Sequence, residues 1–336
     1  MGDEVETVVG MLGGGRVEMI LRAGCRLGLF EELGEPRSVT AVAGVVGADP
    51  STLERFLRVL VDLGLCERRG DEYVVTARGA TLVADHPSRL RDLVLLRTDL
   101  PTIASWHALE DAVRTGDGVY ERINGATHWE HMSRDSGAER AFNDAMARRG
   151  PAQVATLLES IDLDGVTSLV DVGGGRGAML AGLLHALPGL TGVVAERPAV
   201  AEEATAFLTS AGLGDRGRGV GSDFFSAVPA GGDVYTMAHV LHDWTDHDCV
   251  RILQTVRHAM AADARLLVIE RVLGAPERPS DLERDLHFAD LNMLVLFGAR
   301  ERTQAEYDVL FAAAAFTPSR MRGSGDWNVL EVRPTP

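Results

Sequence analysis

Two periodicities divide the chain. In the first half apolar side chains recur at helical spacing, and from Thr167 short apolar runs alternate with helix-compatible stretches. Val17–Leu33 predicts one helix with Ile20, Leu21, Leu27 and Phe30 toward one side. Ser38 is placed to cap a helix through Val46. Asp49-Pro50-Ser51 opens another, carrying Leu53, Phe56, Leu57, Leu60 and Leu63 and ending at Gly64. Cys66–Arg69 and Tyr73–Thr76 flank Gly70-Asp71, a two-residue hairpin turn. Helix, turn, helix, hairpin is a winged-helix pattern. Residues 102–160 read as helical and carry Trp106, Leu109, Val113, Trp129, Phe142 and Met146.

Beyond Thr167, Ser168–Val172, Val193–Glu196, Val234–Ala238 and Leu266–Glu270 read as buried strands, each followed by a helical stretch. That alternation predicts βαβ units, hence an α/β fold with a parallel sheet covered on both faces. A last strand, Asn328–Val332, follows Gly323-Ser324-Gly325-Asp326 and is free to pair antiparallel.

Length and charge narrow the picture. The 336 residues suit two domains of ordinary size, and 46% hydrophobic with 24% charged residues is the balance of a soluble globular protein. The net charge of −16 argues against nucleic acid as a partner. So does the winged-helix segment itself, because the first hundred residues hold 16 acidic and 12 basic side chains. Glu54, Arg55, Arg58 and Asp62 cancel along the would-be recognition helix, so the module reads as a packing or dimerisation element. Every one of the 33 basic residues is arginine, and no chemistry is built on that. Cys25, Cys66 and Cys249 are scattered and odd in number, which argues against a disulfide framework or zinc knuckle and fits a reducing compartment. Met1-Gly2-Asp3-Glu4 lacks a secretory pattern, Glu6 makes Gly2 a poor acylation site, and no run of 18 apolar residues occurs. A cytoplasmic protein without a membrane partner is the expectation.

The candidate chemistry lies in the second half. Ser168-Leu169-Val170-Asp171-Val172-Gly173-Gly174-Gly175-Arg176-Gly177-Ala178 is a strand running into a glycine turn and a helix. Ligands of open α/β sheets bind beyond such strand ends, and glycine lets backbone approach them closely. Gly173-x-Gly175-x-x-Ala178 also satisfies the dinucleotide fingerprint, so NAD and other nucleotides both remain open here. Glu196 ends the next strand, 23 residues after Gly173, where a carboxylate accepts from ribose hydroxyls; a capping acid before Pro198 is the alternative. Gly221-Ser222-Asp223-Phe224-Phe225 follows the third strand. A carboxylate beside an aromatic ring suits an adenine, with Phe225 read as core. The segment Gly232–Trp244 places His242 just beyond the fourth strand. His239, His242, Asp243, Asp246 and His247 cluster there as in a metal site, but no cysteine joins them and no geometry is set, so no metal is expected. Asp243 and Trp244 read as a turn acid and a wedge.

With these motifs in order the chain resembles the plant caffeic-acid-type and bacterial antibiotic-tailoring O-methyltransferases, which use S-adenosylmethionine. The resemblance spans nearly the whole chain. It runs from the winged-helix half through Val170–Gly177, Gly221–Phe225 and Val240–Trp244 to Leu291–Leu294 and Gly298-Ala299-Arg300-Glu301-Arg302-Thr303. It implies a seven-stranded Rossmann-like sheet over 161–336, a helical connector lining the acceptor pocket over 101–160, and a winged-helix dimerisation domain over 1–100 that makes a homodimer. It implies S-adenosylmethionine as cofactor and S-adenosylhomocysteine as product. His242 would be the general base, flanked and oriented by Glu270 and Glu301. Gly173, Gly175, Glu196, Arg197, Gly221, Asp223, Phe224, Ala238, Met146 and Arg149 would serve the cofactor, Arg149 through its carboxylate. Trp106, Leu109, Trp129, Phe142, Asn292, Met293 and Phe297 would line the acceptor site, with core packing an equal reading for Trp106 and Leu109. The chain departs from the family at Ala238, where many members carry a cofactor-contacting lysine or arginine, and at Glu196, where many carry aspartate. The aromatic and methionine lining suits a planar aromatic natural-product intermediate bearing a phenolic hydroxyl. Some relatives lack the histidine and use the cofactor in hydroxylation, decarboxylation or cyclisation; His242 favours methylation. A ligand-sensing winged-helix regulator and an NAD-dependent dehydrogenase are the readings from other classes.

Overall fold

The computed structural model describes residues 3–275, 278–323 and 325–335. The chain forms two compact units. The first runs to Ile103 and resumes over Asp135–Arg148; the second comprises Ala104–Arg134 and the chain from Arg149 onward. The helical stretch expected at 101–160 as one connector is therefore divided between them.

In the first unit the single helix expected over Val17–Leu33 is two. Gly14–Leu27 stops at Gly28, whose φ of 68° turns its N–H back onto the Gly24 and Cys25 carbonyls, and Leu29–Glu32 begins afresh. Glycine occupies that left-handed conformation without a Cβ penalty. The next two helices start where their caps lie. Ser38 Oγ accepts the Ala41 N–H at 3.3 Å ahead of Val39–Val46, and Asp49 Oδ1 accepts the Thr52 N–H at 2.8 Å ahead of Pro50–Asp62. Strands β1 (Arg37–Ser38), β2 (Cys66–Arg69) and β3 (Glu72–Val75) form an antiparallel sheet in the order β1-β3-β2. Arg69 pairs with Glu72 across Gly70-Asp71, with Gly70 at φ 64°. Leu29, Phe30, Leu33, Leu57, Leu60 and Tyr73 make the core of this winged-helix unit. The helix Ser136–Ala147 joins it beside Leu90–Arg97.

The second unit is a seven-stranded sheet built from β4 (Ser168–Val172), β5 (Thr191–Glu196), β6 (Gly217–Gly221), β7 (Val234–Ala238), β8 (Arg265–Glu270), β9 (Arg320–Arg322) and β10 (Asn328–Val332), in the order β6-β5-β4-β7-β8-β10-β9. Strands β4 to β8 are parallel, and β10 runs antiparallel to β8 and β9. Alternate residues face opposite cores. Leu169, Val234, Leu267 and Val329 pack on one side, Val170, Tyr235, Leu266 and Leu330 on the other. Strand β6 has no apolar run, since three of its five residues are glycine. Helix Pro198–Ser210 lies so close that a Cβ on Gly219 would come within 1.9 Å of the Ala201 carbonyl oxygen. The chain winds outward from β4 to β6 and then returns to place β7 against β4 on its other side. The switch in strand order therefore falls between β4 and β7, and it brings the glycine turn and the His242 segment together. Among the described residues no helix is long and apolar enough to cross a membrane.

Candidate active site

The turn after β4 takes left-handed backbone at Gly173 (φ 71°), Gly175 (φ 54°) and Gly177 (φ 81°). A Cβ on Gly173 would meet the Val240 methyl at 2.8 Å, and one on Gly174 would meet Asp171 Oδ2 at 2.2 Å, whereas Gly175 faces open space. Asp171 is the residue that reading for strands passed over; its signal was an acid inside the apolar run of β4. It is fully buried, and its Oδ1 accepts the Thr236 hydroxyl at 2.8 Å while Oδ2 has no partner. Burial pushes its carboxyl up to about 7 against the Thr236 hydrogen bond, with the Glu196 charge adding to the rise.

Glu196 ends β5 next to this turn. Its Oε1 accepts the Arg197 N–H at 3.0 Å, and the Arg197 Nε lies 3.7 Å away. Its carbonyl accepts the Ser222 N–H at 2.8 Å, which ties the ends of β5 and β6 and so brings Gly221 and Asp223 alongside. Asp223 is engaged with its own turn, accepting the Phe225 N–H at 3.0 Å and the Ser226 hydroxyl at 2.8 Å. Phe224 sits near Gly173 and lies edge-on to Trp244, ring centroids 5.7 Å apart. Ala238 ends β7 opposite Ile269.

His242 stands on a single helical turn, Leu241–Asp243, just past β7, and is buried. Its Nδ1 lies 2.9 Å from Glu301 Oε1 and its Nε2 3.3 Å from Asp243 Oδ1. Sequence reasoning paired both Glu270 and Glu301 with the ring; the structure separates their tasks. Glu270 Oε1 accepts the N–H groups of Val240 and Leu241 at 3.0 and 2.9 Å, so it holds the backbone of the turn rather than the imidazole. Asp243, read as a turn acid, is the second carboxylate at the ring. Burial alone would lower the His242 pKa, but Asp243, Glu301 and Glu270 together raise it to about 9. Burial raises Asp243 to about 6 and Glu270 to about 7, each against the attraction of His242. His242, Asp243 and Glu270 are thus coupled in their titration.

His239 occupies left-handed backbone at φ 59°, unusual for a side chain with a Cβ, and its ring centroid is 3.7 Å from that of His242. Arg149 Nη1 approaches its Nδ1 at 2.7 Å and its Nε2 at 3.1 Å. Donor atoms of His239, His242 and Glu301 come within 4.8 Å of one another, a proximity the sequence did not define. Within this cluster Arg149 lies against His239 and Glu301 against His242.

The acceptor candidates fall in three places. Trp129 stacks on Trp244 (centroids 6.2 Å, planes 14° apart) and on Phe297 (5.4 Å, 25°), a wall of nearly parallel rings. Trp106 Nε1 donates to Asn292 Oδ1 at 3.1 Å, and Trp106 and Leu109 pack on the Ala108, Ala112, Val119 and Val295 cluster. Met293 is buried on the same helix, Ser280–Phe297. Phe142 and Met146 lie one turn apart on Ser136–Ala147, a helix of the first unit.

Residues 106–317 match the O-methyltransferase domain, and residues 9–85 the O-methyltransferase dimerisation domain. The chain belongs to the O-methyltransferase family. The mitomycin biosynthesis 6-O-methyltransferase of Streptomyces lavendulae is 37% identical to this methyltransferase over 98% of the chain and 94% of its own length. An 8-amino-8-demethylriboflavin N,N-dimethyltransferase of Streptomyces davaonensis is 35% identical over 95% and 92%. A solved O-methyltransferase of neocarzinostatin biosynthesis, in complex with S-adenosylmethionine and 2-hydroxy-5-methyl naphthoic acid, superposes with a TM-score of 0.81 at 29% identity, covering 95% of this chain and 96% of that one. The methyltransferase is an S-adenosylmethionine-dependent enzyme of the O-methylating class. Its residues fit that cofactor. The buried Asp171 Oδ2, beneath Gly174 of the glycine-rich turn, is a polar atom without a partner there.

Proposed function

We propose that the methyltransferase methylates a phenolic hydroxyl of a small aromatic natural-product intermediate, with His242 as the base. The observation that carries this reading is the buried 2.9 Å pair of His242 Nδ1 and Glu301 Oε1, next to the glycine turn at the switch between β4 and β7. S-adenosylmethionine, when bound, supplies a methyl carbon on a sulfonium sulfur. The Gly173–Gly177 turn with Asp171, Glu196, Arg197, Gly221, Asp223, Phe224, Ala238 and Arg149 would hold it. The acceptor oxygen must shed its proton, and His242 Nε2 would take it while Glu301 keeps the other ring nitrogen protonated and stabilises the imidazolium. A phenol has a pKa near ~10, so a histidine raised to about 9 is matched to it as an acceptor in the alkaline range, where the ring is free of its second proton. The stacked Trp129, Trp244 and Phe297 support a flat ring as the acceptor, oriented with Asn292 and Met293 nearby.

Self-association follows the dimerisation domain, and a homodimer through the first unit is the form we favour. The exposed Val5, Val8, Val9 and Met11 of the helix Asp3–Met11 support it. Three buried free cysteines accord with a cytoplasmic setting.

The test is His242→Ala, followed by S-adenosylhomocysteine formation over a panel of phenols. Turnover is expected to fall roughly 10²–10⁴-fold with cofactor affinity retained. Wild-type turnover in the variant would remove His242 as base, and no product from any phenol with the native enzyme would remove the phenolic acceptor.

A further inference from the structure

The turn that carries His242 has its backbone polar groups taken up by side chains from elsewhere in the second unit. Glu270 accepts the N–H groups on one side. On the other side the carbonyls of Leu241 and Trp244 point at Arg302, whose Nη1 donates to Leu241 at 2.9 Å and Nη2 to Trp244 at 2.8 Å. The Cys249 thiol donates to the same two carbonyls at 3.1 and 3.5 Å. Burial pushes that thiol up to about 12, so it stays a donor. Arg302 is itself fully buried, an expensive place for a cation unless every donor is met. Each donor is met here. Nε and Nη2 reach Asp246 Oδ1 at 3.0 and 2.7 Å, and Nη1 also reaches the Arg300 carbonyl at 3.2 Å. Arg302 and Glu301 are neighbours in sequence. One short segment therefore grips the His242 turn twice, once by the imidazole and once by its carbonyls. Arg300 adds a third grip, on Asp246 Oδ2 at 2.8 Å.

We propose that Arg302 is a positioning residue for methyl transfer: by clamping the Leu241 and Trp244 carbonyls from the segment that bears Glu301, it sets the distance and angle between the imidazole and its carboxylate. The proposal rests on His242 being the base. A planar fork is required, because three carbonyls and one carboxylate must be met in fixed directions, and lysine offers a single point of charge in its place. The groups that face His242 are Asp243 on its own turn, Glu301 from the clamping segment, Glu270 from the end of β8, and His239 with Arg149 against it. Loosening the clamp weakens the Glu301 contact first and leaves Asp243, which travels with the ring.

The experiment compares Arg302→Lys, Asp246→Asn, Glu301→Gln, the Arg302→Lys/Glu301→Gln pair and His242→Ala with the native full-length enzyme. S-adenosylmethionine and one phenolic acceptor that the native enzyme turns over are used throughout. Arg302→Lys is expected to lower kcat by about tenfold or more with cofactor Kd held within about twofold, as for a misplaced catalytic group. The acid limb of the kcat/KM profile should move to lower pH, because the base loses an anionic partner. The pair should be little worse than Glu301→Gln alone, since both act on one contact. Asp246→Asn, which unseats the guanidinium from a half-exposed position, should show the same shift in smaller measure and decides the matter if Arg302→Lys does not fold. The proposal is overturned if the acid limb of both milder variants superimposes on the native one, or if the losses in the pair multiply. His242→Ala separates the two failures: full turnover there sinks the base itself, whereas an inactive His242→Ala with an unmoved limb in the Arg302 and Asp246 variants sinks only the clamp.

Discussion

Replacing Glu301 by glutamine tests the site at its most connected point. Glu301 is buried, and its Oε1 is 2.9 Å from His242 Nδ1. A hydrogen bond to a charged group is worth roughly 1.5–3 kcal/mol net. Taken in full as the imidazole becomes imidazolium, that is about 10- to 150-fold in kcat. Glutamine does further damage. Its amide offers N–H groups to Nδ1 and so favours the proton on Nε2, the nitrogen that must be bare to act as a base. A comparable amide swap behind a catalytic histidine costs roughly 10⁴ in kcat. The expected loss therefore lies between about 10² and 10⁴, and Glu301→Ala, which removes the bond without imposing the wrong tautomer, should lose less. The assay is S-adenosylhomocysteine release at saturating phenol from acid to alkaline pH, with cofactor affinity by calorimetry. His242 is raised to about 9 by Asp243, Glu301 and Glu270 against burial, so native kcat/KM should climb through the alkaline range and the variants should climb earlier. Thermal stability is a useful control. Glu301 Oε2 is buried without a partner, so the variants have little folded-state bonding to lose beyond the imidazole contact. A kcat near the native value, or an acid limb that stays in place, would refute the pairing of base and carboxylate.

Two further outcomes follow from the turn after β4. Gly174→Ala should weaken cofactor binding by about tenfold or more while leaving the sheet folded, because its methyl must displace Asp171 Oδ2 from 2.2 Å without any backbone penalty at that residue; an unchanged Kd by calorimetry would refute it. Asp171 has a folded-state pKa of about 7, above its ordinary 3.8, so the folded chain holds a proton there that the unfolded chain releases, and this contribution to stability is lost as pH rises from about 4 through 7. Without cofactor, the Tm of Asp171→Asn should gain on the native protein across that window, and parallel Tm curves from pH 5 to 8 would show that the buried carboxyl is not the cause.

Much of the architecture was legible because it is local. Ser38 and Asp49 announce helix starts through hydrogen bonds within three residues, and Gly70-Asp71 closes a hairpin on its own geometry. The buried strands β4, β7 and β8 show as apolar runs because both faces of a covered parallel sheet are core. Strand β6, placed before Gly221 but given no bounds, shows no apolar run for the opposite reason: its glycines answer to the helix packed on them, and that contact spans the chain from Ala201 to Gly219.

The sequence by itself determined that a glycine turn, an acid ending the following strand and a histidine beyond β7 all sit at one edge of an α/β sheet, since the alternation of strands and helices makes those strands parallel and parallel strands end at one edge. Tertiary structure alone decided how the acids divide their work. Glu301 is 59 residues from His242 and Glu270 is 28, and spacing of that kind carries no direction. The pairing of β7 with β8 delivers Glu270 to the backbone of the turn, whereas the clamped segment beyond Phe297 delivers Glu301 to the ring. Asp243, adjacent in sequence, meets Nε2 because the single helical turn after β7 curls it under the imidazole. A carboxylate's role is set by which hydrogen-bond donor lies within about 3 Å of it, and in this protein long-range packing makes that choice.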